Sequence, residues 1–229
     1  MERNDAAEFF NLYRHCFIRS AVCVPAVKVA DPRFNADQTI LLAREAAAGK
    51  AIFALFPELG TSAYSNDDLF HQEALLCGVR GAVERIARET APLNLILVIG
   101  APLRVDSRLF NCGIVLYRGR IIGVAVKSYL PNYREFYEGR QFSPAEEAVA
   151  NTIRLCGQEG IPFGADLIFE VTNVPHFRFF LEMCEDVWVP IPPSCFASLA
   201  GATVIGNLSA SNATIGKAEY RQSLAANQS

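Results

Sequence analysis

The runs at residues 110–117 (FNCGIVLY) and 120–126 (RIIGVAV) flank the turn Arg118-Gly119 and predict a β-hairpin. The rest of the chain alternates strand-like and helix-like segments, so an antiparallel pair in its middle excludes a purely parallel sheet. Further strands are expected at residues 18–29, 51–56, 93–100, 165–171, 177–183 and 202–207. Helices are expected at 35–48, where Ile40, Ala43 and Ala47 share a face and Gly49 follows as a C-cap, and at 67–89. In the second, Leu69, Leu76, Val79, Val83 and Ile86 recur at helical intervals. The runs AIFALF (51–56) and LNLILVIG (93–100) are apolar on both faces, and both faces must therefore be covered. An α-β-β-α sandwich meets that demand, with two mixed sheets packed face to face and helices outside. Residues 127–144 form a structured loop, VWVPIPPS a rigid one, and 196–200 a short helix. Residues 209–229 make a loop and a helix start with no return strand, so the sandwich is expected to be C-terminally truncated.

Length and composition fit one domain, taken as residues 1–229. Of these residues 51% are hydrophobic and 20% charged, enough apolar surface for a core and too little charge for a disordered chain. Twenty-one basic residues against 24 acidic leave a net charge of −3, so no basic field exists for nucleic acid. The longest apolar stretch, 95–103, contains Gly and Pro and is too short to span a bilayer. The opening MERNDAAEFF lacks the apolar region of a secretory leader. Seven cysteines without a CxxC pair suit free thiols in a reducing cytoplasm. Three scattered histidines show no ligand spacing, so no metal site is expected, and chemistry in this chain is expected to do without histidine.

A nucleophilic site without histidine needs an activated thiol, a base, and a fixed positive charge where an oxyanion forms. Glu58 follows the apolar run in ALFPELG, Lys127 ends the run in IIGVAVKSYLP, and Cys184 ends the run in RFFLEMCEDVW. Three ionisable groups at three strand ends should share one rim of a sheet, where α/β folds gather catalytic groups. Singly, each has a blander reading: a solvated carboxylate, a strand-end gatekeeper and an inert core thiol.

The flanking residues shift that balance. FPELGTSAYS, VKSYLPNYREFYE, EMCEDVWVP and NLSASNATIGK, in that order, resemble the nitrilase (carbon–nitrogen hydrolase) superfamily. They are most similar to the N-terminal glutaminase domains of glutamine-dependent NAD+ synthetases. The resemblance implies the nitrilase-like sandwich and a Glu-Lys-Cys triad. Glu58 would be the base, Lys127 the oxyanion partner, and Cys184 the nucleophile that forms a γ-glutamyl thioester and releases ammonia. Glu135 matches the auxiliary carboxylate near the lysine, with Glu138 as the alternative. Tyr64, Tyr133, Glu185, Ser211 and Lys217 match positions that hold the glutamine α-amino and α-carboxylate groups. Lys217 departs from members with Arg, keeping the charge but losing the bidentate fork.

The same resemblance implies no cofactor for this domain. ATP and Mg2+ belong to a synthetase domain that amidates nicotinic acid adenine dinucleotide, and its SGGxDS loop does not occur in this sequence. Implied partners are glutamine, that C-terminal synthetase domain and further copies of the chain as a homo-oligomer, with no nucleic acid and no membrane. Two other functions stay open: a stand-alone amidase for another small amide, and a non-catalytic piece serving oligomer contacts. Trp188 and the loop Pro190-Ile191-Pro192-Pro193 read equally as substrate contacts or as a rigid pocket wall. Cys23, Cys77 and Cys112 read as packing residues, and Cys195 has no matching catalytic role.

Overall fold

The computed structural model describes residues 10–229; the reading of the first nine residues as no secretory leader lies outside them. Among the described residues, ten strands and four α-helices follow one another as β1 (Ser20–Val22), α1 (Pro32–Ala48), β2 (Phe53–Leu55), α2 (Glu73–Thr90), β3 (Ile96–Val105), β4 (Arg108–Tyr117) and β5 (Arg120–Val126). Then come β6 (Thr152–Leu155), β7 (Gln158–Gly164), β8 (Ile168–Glu170), β9 (Arg178–Met183), α3 (Pro193–Leu199), β10 (Val204–Leu208) and α4 (Lys217–Gln228). Seven strands form a mixed sheet in the order β1-β2-β3-β4-β5-β7-β6, and three form a second mixed sheet, β10-β9-β8.

Strand alternation divides the core in two. Leu97, Ile99 and Ala101 of β3 and Cys112, Ile114 and Leu116 of β4 face α1 and α2. Val98 and Val115 point the other way, toward Phe179, Leu181 and Met183 of β9 and Leu208 of β10. Phe53, Phe177 and Phe179 pack between the sheets with ring centroids 5.0 to 5.9 Å apart. Each buried aromatic of this kind contributes about 2–3 kcal/mol of transfer free energy. The Asp31 side chain accepts the Phe34 N–H at 3.0 Å and Pro32 opens α1, so the start of this helix is set locally.

Several segments differ from the sequence expectation. The strand expected over 18–29 shortens to β1, which pairs with β2. The helix expected over 67–89 splits at Gln72, which is extended (φ −80°, ψ 124°) and separates a 3-10 turn, Asp67–His71, from α2. Phe70 of that turn is buried against Phe142. β3 runs on through Pro102 because beyond Val98 it pairs with β4 alone, and the missing proline N–H breaks no ladder. The hairpin β6–β7 was not expected, since Gly160 and Pro162 blur its alternation; it turns at Cys156 and Gly157, both at positive φ. Cys23 and Cys112 are buried, but Cys77 is exposed on the outer face of α2 and is not a packing residue.

Candidate active site

Strand direction brings the site together. β2 and β3 are parallel, β3–β4 and β4–β5 antiparallel, so β2 and β5 point the same way and end on the same rim. β9 and β10 are parallel in the second sheet and deliver Cys184 and Ser209–Ser211 to that side. The three expected residues thus meet on the rim of the sandwich, two from one sheet and one from the other, rather than along a single sheet.

The turn bearing Glu58 lies directly on β3. A Cβ at Gly100 would stand 2.4 Å from both the Leu59 nitrogen and the Pro57 oxygen, so no larger residue fits beneath it. The Thr61 N–H and hydroxyl both donate to the Gly100 carbonyl, at 3.1 and 3.0 Å, and tie the turn down. Lys127 extends β5 by one residue, donating its N–H to the Asn111 carbonyl of β4 at 3.0 Å. Cys184 ends β9 in a left-handed conformation (φ 44°) that turns the chain into a 3-10 segment, Cys184–Val187.

Three buried charged groups share a few ångströms. The Lys127 Nζ lies 2.6 Å from Glu58 Oε1 and 2.7 and 2.9 Å from the two oxygens of Glu138. Lys127 is fully buried, and Glu58 and Glu138 are nearly so. Glu58 Oε1 also accepts Asn111 Nδ2 at 2.8 Å, and its Oε2 accepts the Ala210 N–H at 3.0 Å. Glu138 accepts the Tyr64 hydroxyl at 2.6 Å. Burial opposes the charge on Lys127, but the two carboxylates outweigh it and hold its pKa above the usual value. Burial raises the Glu138 carboxyl against the lowering influence of Lys127. Burial, followed by the Glu58 charge, pushes the Cys184 thiol up to about 12, while Lys127 and the Ala210 N–H pull it down. Burial first, and the neighbouring Glu58 second, therefore favour the protonated thiol at Cys184.

The other expected residues divide. Tyr133 donates to Glu185 at 3.0 Å, and Lys217 lies over the rings of Trp188 and Phe136, 5.2 and 5.8 Å from their centroids. Lys217 also donates to Asn212, and Asn212 to Glu135. Ser211 has a buried hydroxyl with no partner among the described residues. Glu135 is corrected: it is exposed and held by Asn212, and the carboxylate on Lys127 is Glu138. Tyr64 bonds that same Glu138, which ties its hydroxyl to the charged cluster.

Sequence reasoning missed Asn111, although a lone amide inside the apolar run FNCGIVLY was a visible signal. It also missed the Ala210 N–H, for which a backbone group offers no signal at all. Two larger surface clefts, of about 890 and 710 Å3, contain none of these residues. Among the described residues no group of three or more His, Cys, Asp or Glu side chains could hold a metal, and no helix is long and apolar enough to cross a membrane.

Comparison with known proteins shows the family and the fold. The carbon-nitrogen hydrolase family model matches residues 19–228. A glutamine-dependent NAD(+) synthetase of Mycobacterium tuberculosis is 45% identical over 217 residues, which are 95% of this chain and 32% of that protein. The chain therefore spans about a third of the length of such relatives. The crystal structure of a glutamine-dependent NAD(+) synthetase from Cytophaga hutchinsonii superposes with a TM-score of 0.78 at 25% identity, covering 90% of this chain and 33% of that one. An amidase of the nitrilase superfamily from Nesterenkonia shares the fold, with a TM-score of 0.71 at 17% identity over 92% of this chain and 71% of that one.

Proposed function

Since the chain belongs to the carbon–nitrogen hydrolase family, we propose that it hydrolyses the side-chain amide of glutamine with Cys184 as nucleophile. The observation that carries this reading is the buried Glu58–Lys127–Glu138 cluster beside a thiol held at the end of β9.

A resting thiol must lose its proton as the C–S bond forms. Glu58 takes that proton as Sγ attacks the amide carbon, and the carbonyl electron pair moves onto oxygen. The Lys127 ammonium faces the developing oxyanion, and Glu138 keeps it charged and aimed. When the oxyanion collapses, the C–N bond breaks and the proton on Glu58 passes to the leaving nitrogen, giving ammonia and a γ-glutamyl thioester. Water then attacks the thioester, Glu58 accepts its proton, and glutamate leaves as the Cys184 thiol re-forms. No step needs a metal or a cofactor.

Glutamine is favoured over other amides by the relatives' own dependence on it and by charges at the mouth of the site. Glu185, bonded to Tyr133, suits an α-ammonium, and Lys217 with the free Ser211 hydroxyl suits an α-carboxylate. In a protein of the relatives' length, the ammonia would serve a synthetase domain that amidates nicotinic acid adenine dinucleotide with ATP and Mg2+. That reaction belongs in the cytoplasm, and the assembly would be a homo-oligomer.

Ammonia release from glutamine, measured beside Cys184→Ala and with mass spectrometry for a glutamyl adduct, tests the reading. Ammonia that disappears in the variant, with an adduct on Cys184, is the expected result. Release that survives the substitution, or turnover of simple amides but not of glutamine, would overturn it.

A further inference from the structure

We propose that Asp186 is a positioning residue that sets the separation between the Cys184 turn and the Lys127 strand end. Cys184 and Lys127 follow strands of different sheets, so no β-ladder fixes the distance between them. Asp186 bridges that gap. Its Oδ1 accepts the Tyr129 N–H at 2.8 Å, two residues beyond Lys127, and its Oδ2 accepts the Met183 N–H at 2.8 Å, one residue before Cys184. The second bond also closes the turn that holds Cys184 at φ 44°.

The carboxylate is 1% exposed, and among the described residues no ion pair to it is formed. Burial raises its pKa to about 7 against those two backbone N–H groups. A fold that needed only to fill this space would do better with a neutral side chain. A carboxylate is the one group of this size that accepts from both directions at once. Asparagine has the same shape but must aim its NH2 at one of the two N–H donors, releasing one end of the clamp.

This role rests on the hydrolase reading above, and the experiment separates the two. In Asp186→Asn, kcat for ammonia release should fall about 10- to 100-fold with KM within about twofold, as expected when geometry rather than substrate binding is lost. Hydrogen exchange at Tyr129 or Met183 should accelerate while the β3–β4 amides keep their wild-type rates. If that variant does not fold, Asp186→Glu, which keeps both acceptors but moves them, should lose about tenfold in kcat at unchanged KM. Wild-type kcat in a folded variant, or a loss confined to KM, would overturn the role. Ammonia release that persists in Cys184→Ala would instead bring down the hydrolase reading itself.

Discussion

Replacing Lys127 with methionine removes the cation from between two buried carboxylates. Glu58 loses one contact of 2.6 Å but keeps Asn111 and the Ala210 N–H. Glu138 loses contacts of 2.7 and 2.9 Å and, among the described residues, keeps the Tyr64 hydroxyl. Breaking a buried ion pair from one side costs about 3–5 kcal/mol, because the remaining charge is left uncompensated. Methionine recovers some of the apolar packing, so the expected loss at pH 8 is about 3 kcal/mol. The loss depends on pH with a definite sign. The Glu138 pKa already lies above the ordinary carboxylate value, and losing Lys127 removes an influence that lowered it. The native variant therefore binds a proton that the unfolded chain releases, and stability must rise as the pH falls through the folded pKa toward about 4.5. Urea unfolding of wild type and Lys127→Met at pH 8 and pH 5.5 measures both quantities. A loss under about 1 kcal/mol at pH 8, or one that does not shrink at pH 5.5, would refute the charge arrangement described here. The double variant Lys127→Met/Glu138→Gln should recover most of the pH 8 loss.

Two other measurements address the site. Glu138→Gln should lower kcat by about 10²-fold by releasing the lysine, whereas Glu135→Gln should change it less than about threefold; steady-state ammonia assays decide, and the reverse order would put the auxiliary carboxylate back at Glu135. With its thiol pushed up to about 12, Cys184 should react with iodoacetamide about tenfold faster for each pH unit between 7 and 10, followed by mass spectrometry. A plateau below pH 9 would mean that the resting site stabilises a thiolate.

Local patterns in the chain already specify a good deal. The hairpin β4–β5 was legible because Arg118-Gly119 interrupts two β-branched runs, and α1 because the apolar period and Gly49 agree, while its Asp31 cap and Pro32 start emerged only in the structure. Glu58, Lys127 and Cys184 stood out because a charged or reactive group ends each of three apolar runs, and the flanking motifs named the family. Those are signals within about ten residues, where period and turn chemistry act.

Tertiary structure decided what depends on neighbours distant in sequence. YREFYE contains two glutamates three residues apart, and composition does not distinguish them. Burial does: Glu138 turns inward to Lys127 and Tyr64, while Glu135 reaches outward to Asn212, 77 residues away. Pro102 could remain in a strand because β2 stops short of it. Asn111, the Ala210 N–H and the two-ended grip of Asp186 exist only once β4, β5, β9 and β10 are brought to one rim. Ionic chemistry at that rim depends on how many charges share a volume emptied of water, and that number is a property of the packed sheets rather than of any segment of the chain.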